Sequence, residues 1–258
     1  MNILLTNDDG IDSEGILILA EALRSKSKHD IYILAPERNQ SGVSSCLTIL
    51  NNPVSLKEKS KGSWACSGLP VDCVITAALG GRPCKPDLVI SGINRGANLG
   101  SDIAYSGTTA AARQAAFLGI PAIALSLGNP HYRADKYYWD MAANYSADHL
   151  DEFTAMWKKD IFVNVNIPNN PDGPGGMAIT WPACKDYHDS VKFIENGPGG
   201  KDWCYLAWGN ETAENQPGSD WDAVSNNMVS VSYVFIHPVI RGDLYPDVPV
   251  YAAVKRGG

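Results

Sequence analysis

Hydrophobic positions along the chain recur with two different periods. Ile3-Leu4-Leu5, Ile31-Tyr32-Ile33-Leu34-Ala35, Leu88-Val89-Ile90 and Ile120 to Ser126 are short, nearly continuous apolar runs, closed by Gly, Pro or polar turns. Strands buried on both faces of a sheet read this way. Between them the spacing changes. Ile16, Leu17, Leu19, Ala20 and Leu23, then Val74, Ile75, Ala77, Ala78 and Leu79, then Ala110 to Leu118, and a long stretch Tyr137 to Phe153, all repeat at helical intervals. Alternating strands and helices predict an α/β fold with a doubly wound, mostly parallel sheet, opened by a right-handed βαβ unit.

From residue 161 the character changes. Residues 170–176 and 196–200 are rich in Pro and Gly, with strands predicted at Met177 to Trp181, Trp203 to Trp208 and Met228 to Ile236. The chain therefore divides into an α/β core, residues 1–160, and a β-rich extension, residues 161–258, expected to complete the core and form an oligomer interface. Trp181, Trp203, Trp208 and Trp221 either serve an interface, cover a site or fill the extension's own small core. Leu47 to Trp64 reads as short strands, with a solvated Lys-rich turn at Lys57 to Lys61.

A length of 258 residues suits one large α/β domain or a domain with an appendage, at about 100–200 residues per domain. The formal net charge of -7 argues against a general nucleic-acid binder or an anionic-membrane binder, both of which need basic surface. No segment approaches the roughly 20 apolar residues of a membrane span. The six cysteines form no Cys-x-x-Cys pair, and the N-terminus lacks a basic, apolar leader, so free thiols in the cytoplasm are expected.

The candidate chemistry lies in the turns. Asn7-Asp8-Asp9-Gly10 follows the first strand, and ligands of open α/β sheets bind outside the carboxyl ends of the strands. Adjacent carboxylates repel unless a cation is present. The same residues could be no more than a turn feeding the helix that begins near Ser13, just as Asp72 can cap or charge the first turn of its helix. Three further loops leave the same edge: Asn39 to Gly42, the Gly-rich Ser91 to Gly100, and Tyr105 to Thr109 at a helix start. Asp8 and Asp9 supply charge, Ser41 and Asn94 neutral oxygens, a set suited to one hard divalent ion, Mg²⁺ or Mn²⁺. Ser106 or Thr108 can cap the following helix, whose free amides also attract phosphate. Neither a Gly-x-Gly-x-x-Gly nor a P-loop is present, and the acids are adjacent rather than spaced as Asp-x-Asp.

Five segments in register, Met1 to Gly10, Ala35 to Gly42, Gly68 to Val74, Ser91 to Gly100 and Tyr105 to Thr108, resemble the signature segments of the SurE survival-protein family. The resemblance continues through Asn164-Val165-Asn166-Ile167-Pro168, and Gly218-Ser219-Asp220 looks like a variant of a later Thr-Asp segment. It implies a Rossmann-like core and a metal-dependent phosphatase of nucleoside 5'-monophosphates, extending to 3'-monophosphates and short polyphosphate. It implies Asp8, Asp9, Ser41 and Asn94 as metal ligands and Asn98, Ser106, Gly107 and Thr108 around the phosphate, with Asp8, Asp9 and Asn98 catalytic. It further implies a homodimer or homotetramer with an exchanged C-terminal segment. Residues 185–216 depart from the family pattern, and His237 is left without a role. Two rivals stand beside this reading. A nucleotide-binding protein without turnover would not need all four ligands, and a glycosyltransferase-like enzyme would carry Asp-x-Asp on a later loop.

Overall fold

The computed structural model describes residues 1–130, 134–207, 209–213 and 216–237. Strand β1 (Asn2–Thr6) is followed by helix α1 (Glu14–Lys26) and β2 (Asp30–Pro36), then by a hairpin of β3 (Leu56–Ser60) and β4 (Ser63–Cys66). Helix α2 (Pro70–Gly80), β5 (Leu88–Arg95), α3 (Gly107–Phe117) and β6 (Ala122–Leu127) come next, then α4 (Trp139–Asp148), α5 (Leu150–Met156) and β7 (Ile161–Ile167). Beyond these lie β8 (Met177–Thr180), β9 (Asp186–Tyr187), β10 (Ser190–Gly197), β11 (Lys201–Ala207), β12 (Glu211–Thr212), α6 (Asp220–Ser225) and β13 (Val229–Phe235).

One nine-stranded sheet runs in the order β3-β4-β2-β1-β5-β6-β7-β13-β8. The six strands from β4 to β7 are mutually parallel; β3 and β13 run antiparallel to β4 and β7. The chain winds outward from β1 through β2, then crosses over α2 to β5 on the other side of β1. Strand order therefore reverses between β1 and β5, where their carboxyl ends diverge and leave a crevice.

Period-two alternation sets the two layers. Ile3 and Leu5 join Ile16, Leu19 and Leu23 of α1 with Trp139 and Ala143 of α4, while Leu4, Leu34 and Val89 pack against Cys73, Val74 and Ala77 of α2 and Ala111 and Ala115 of α3. With both faces covered, β1, β5 and β6 must be apolar nearly throughout, which is why they were visible as uninterrupted runs. Among the described residues no helix is long and apolar enough to cross a membrane.

Several elements differ from the sequence expectation. The helix expected over Tyr137 to Phe153 is two helices broken at His149, whose backbone (φ -106°, ψ 12°) leaves the helical region and whose imidazole meets the Tyr145 carbonyl at 2.9 Å. Lys57 and Lys59 lie in an exposed strand, not a turn, and residues 47–55 form turns and irregular chain instead of strands. An edge strand with charged side chains is how a sheet margin is kept from pairing further. The Leu88 strand does not end at Ile90 but runs to Arg95. Its register against β6 shifts between Ser91 and Asn94, and Gly92, at φ +138°, lies where a Cβ would come 2.2 Å from the Leu125 carbonyl oxygen. Leu79 faces solvent instead of the core.

The sheet does not stop at residue 160, because β7, β13 and β8 extend it. What stands off it is the hairpin of β10 and β11, together with the small β9–β12 ladder. Trp221 is buried, Trp181 and Trp203 are about half exposed, and Trp208 lies outside the described residues.

Helix α1 owes its close approach to the sheet to Gly15, where a Cβ would meet the Ile93 carbonyl oxygen at 2.2 Å. Helix propensity alone favours Gly15→Ala by up to about 1 kcal/mol. The contact reverses the sign: chemical denaturation should show a loss of roughly 1–3 kcal/mol, as for other overpacked positions.

Candidate active site

The turn after β1 is built by Asn7. Its side-chain oxygen accepts the Gly10 N–H at 3.1 Å, and its amide donates to the Gly10 carbonyl (2.9 Å) and to Ser13 Oγ (2.7 Å). Ser13 thus flanks α1 without capping it through its side chain. Locked in this way, the turn directs Asp8 and Asp9 into the crevice. Asp8 is 3 % exposed and receives the Thr108 hydroxyl on Oδ1 at 2.5 Å. Burial pushes its carboxyl up to about 6, and the neighbouring Asp9 adds to that push against the Thr108 hydrogen bond. Asp9 is raised as well, chiefly by burial, and is opposed by the Arg95 N–H, which donates to Oδ2 at 3.0 Å.

The expected loops meet here. Gln40 N–H donates to the Asp8 carbonyl (2.7 Å), Asn39 Nδ2 reaches Asp9 Oδ1 at 3.4 Å, and Asn39 Oδ1 in turn accepts the Ser41 N–H at 2.8 Å. Ser41 is exposed and is linked to Asp9 through Asn39. The Arg95 contact brings the Asn94 peptide to the same carboxylate. Asn94 gives its amide N–H to the Gly96 carbonyl (2.9 Å), which leaves its oxygen as the end able to ligate.

Helix α3 closes the far side. Its N-cap Ser106 spends its side-chain oxygen on the Thr109 N–H, the ordinary capping bond. Gly107 packs so tightly that a Cβ there would lie 2.8 Å from Asp8 Cβ and 2.9 Å from its Oδ2. Of the first-turn amides of α3, that of Thr109 is taken by Ser106 Oγ and that of Thr108 faces Asp8, which leaves the Gly107 N–H without a helical acceptor. Asn98 is held from behind: its N–H donates to Asn166 Oδ1 (2.7 Å), its Nδ2 to Ser126 Oγ (2.8 Å), and its carbonyl accepts from Asn164 and Asn166 at 3.0 and 3.2 Å.

These supporting residues lie in segments the sequence singles out, but it assigned them no individual role. Asn164 and Asn166 are both fully buried inside an otherwise apolar strand, and a buried amide requires a partner, so their alternation was a usable signal. Asn39 and Arg95 had none, since Asn39 is a loop residue that matters through its local geometry and Arg95 acts through its backbone. His237 pairs with Asp160 at 3.4 Å, at the amino end of β7 and so at the sheet edge opposite the crevice.

Among the described residues no group of three or more His, Cys, Asp or Glu gathers for a metal ion. A cation here would be held by two carboxylates and neutral oxygens, which suits a hard dication and not zinc. The donor set fits such an ion, because two raised carboxyl groups side by side lose their mutual repulsion when a positive charge sits between them.

Similarity to known proteins covers most of the chain. The family described as Survival protein SurE matches residues 3–189. The chain is 37 % identical to the 5'-nucleotidase SurE of Methylocella silvestris, over 90 % of this chain and 92 % of that one. To the 5'-nucleotidase SurE of Geobacter sulfurreducens it is 39 % identical, over 90 % and 87 %. The crystal structure of the SurE protein from Aquifex aeolicus superposes with a TM-score of 0.80 at 32 % identity, covering 96 % of this chain and 98 % of that one. With a family match over residues 3–189 and relatives 37 % and 39 % identical over 90 % of it, the chain belongs to the SurE survival-protein family.

Proposed function

We propose that this chain is a phosphatase that hydrolyses nucleoside 5'-monophosphates to nucleoside and phosphate, using one divalent cation, Mg²⁺ or Mn²⁺. The observation that carries the reading is the meeting of Asp8, Asp9, the Arg95 N–H and the start of α3 at the strand-order reversal. The naming of relatives 37 % and 39 % identical as 5'-nucleotidases supports it. Asp8, Asp9, Ser41 and Asn94 would hold the cation, which when bound supplies Lewis-acid polarisation of the phosphate.

The chain's own residues then divide the remaining work. Asn98 and the Gly107 amide, with Ser106 and Thr108 around them, receive phosphoryl oxygens and stabilise the charge that grows on them. Asp8, the more buried carboxylate, is suited to accept the proton of the attacking water, while the Thr108 hydroxyl on Oδ1 fixes which oxygen does so. Neither contact reads the base or the sugar, so 3'-monophosphates and short polyphosphate are candidate substrates of the same groove.

The extension supports assembly into a homodimer or homotetramer. The hairpin of β10 and β11 leaves Val191 and Phe193 more than half exposed on one face and Ile194, Trp203 and Tyr205 on the other, apolar surface of the kind that marks an interface. The last residues of the C-terminal segment expected to exchange, 238–258, lie outside the described residues. All six cysteines are free, which fits the reducing cytoplasm.

Phosphate release from a panel of nucleoside monophosphates should require added Mg²⁺ or Mn²⁺ and fall by about 10²–10⁴-fold in Asp8→Asn. Release unaffected by chelator or by that change would end the proposal. At a cation concentration 100 times its Kd, the wild-type fold should gain about 2.7 kcal/mol in thermal or chemical denaturation, and Asp9→Asn should forfeit most of that gain. Light scattering should find a multiple of the chain mass, reduced when Phe193 and Trp203 are both changed to Asp; an unchanged mass would place the interface elsewhere.

A further inference from the structure

The segment from Ala97 to Ser106 carries Asn98 and leads into α3, yet it belongs to no strand and could move. Besides the bonds of Asn98 to Ser126 and of Ser44 to Ala104 and Tyr105, the extension fastens it. Leu99 is buried in a small apolar cluster with Ala183, Ala213, Trp221 and Val224, against which Ala97 packs. Gly100 comes so near the extension that a Cβ on it would lie 2.2 Å from the Ala183 carbonyl oxygen.

Two polar ties fasten this contact. Asp220 is fully buried at the start of α6 and gathers three backbone N–H groups: Gly100 on Oδ2 at 2.7 Å, and Ala183 and Trp221 on Oδ1 at 2.9 and 2.8 Å. Lys185, whose side chain is 1 % exposed, sends Nζ to Asp102 Oδ2 and to Glu211 Oε2, both at 2.5 Å, and lies 5.2 Å from the ring centres of Tyr187 and Trp221. Tyr187 donates its hydroxyl to the other oxygen of Asp102 at 2.7 Å. The Asp102 carbonyl accepts the N–H of Ser106 at 3.1 Å, so the tie reaches directly to the cap of α3. From the opposite side, Ser44 in the loop that follows Ser41 donates its Oγ to the Ala104 carbonyl (2.7 Å) and its N–H to that of Tyr105 (3.2 Å).

We propose that Asp220 and Lys185 are positioning residues, through which the extension holds the Ala97–Ser106 segment so that Asn98 and the start of α3 face the phosphate. The proposal rests on the phosphatase reading for its catalytic consequence alone. A buried carboxylate surrounded by three amide donors has no slack, because replacing one of its oxygens by an amide nitrogen sets donor against donor. Lys185 likewise sits desolvated among carboxylates and rings, so it fixes Asp102 at one position where an exposed pair would wander.

Asp220→Asn and Lys185→Met test this, with amide hydrogen exchange across residues 97–106 read beside kcat and KM for nucleotide hydrolysis. In folded variants, exchange in that segment should quicken by about tenfold or more while the 7–10 turn keeps its protection. Turnover should fall by about ten- to a hundredfold with KM changed much less, since displacements of the order of 1 Å act on the transition state. Unchanged exchange in both variants would overturn the proposal, and so would faster exchange with undiminished kcat. Should the wild-type chain release no phosphate while the variants still exchange faster, the tie stands and the phosphatase reading fails. If neither variant folds, Tyr187→Phe deletes only the hydroxyl's bonds to Asp102 and Ser101, and no charge: faster exchange over 97–106 supports the tie, and unchanged exchange rejects it.

Discussion

The adjacency of two carboxylates at the buried end of the first strand is the constraint on which the rest of this structure depends. Each is pushed toward its neutral form by burial, and Asp9 pushes Asp8 further. Such a pair is tolerable in a fold only when donors and positive charge surround it. The surroundings answer that need group by group. A hydroxyl from Thr108 and an N–H from Arg95 each reach one carboxylate, and the dipole of α3 begins beside Asp8. These donors come from the end of β5 and from α3 after it, and they meet the β1 turn because β5 lies beside β1, where strand order reverses.

Close approach of backbone to backbone is the second condition, and it falls on a few glycines. Gly107 lets α3 abut Asp8, Gly92 lets β5 press against β6, and Gly15 lets α1 lie on β5 at the same level. Any side chain at these places would lift an element by an ångström or more and open the cup. Turning space into chemistry this way has a cost in chain entropy, about 0.5–1 kcal/mol for each glycine in a regular element. The apolar layers on both sheet faces offset it.

A third feature is how backbone polar groups near the cup are satisfied. Asp72 is fully buried and accepts N–H groups from Thr48, Ile49 and Leu69, pinning the chain that follows Ser41 to α2. Asp220 does the same for Gly100, Ala183 and Trp221. Asn164 and Asn166 hold Asn98 from β7. Loops that would otherwise be mobile are thus made stiff by charged or amide side chains whose partners are main-chain atoms, a stronger restraint than exposed ion pairs provide.

How much of this could be read from residues alone depends on the range of the interaction. Strands buried on both faces and amphipathic helices are set by local periodicity, so the α/β alternation, the turn after Ile3-Leu4-Leu5 and the acids at its end were legible directly. The convergence of Asp9 with Asn94 followed from the rule for strand ends, because parallel order carries each carboxyl-end loop to one edge whatever lies between. Where non-local packing competes with local preference, the reading failed. His149 breaks a helix whose apolar repeat continues past it, and Lys57 and Lys59 enter a strand because β4 offers them a pairing edge. Ser106, by contrast, caps α3 by accepting the Thr109 N–H, as a serine at a helix start does from local geometry alone. The register shift in β5, the backbone N–H of Arg95 on Asp9 and the hold of Asp220 on Gly100 depend on contacts across 86 and 120 residues of chain, and only the assembled sheet decides those.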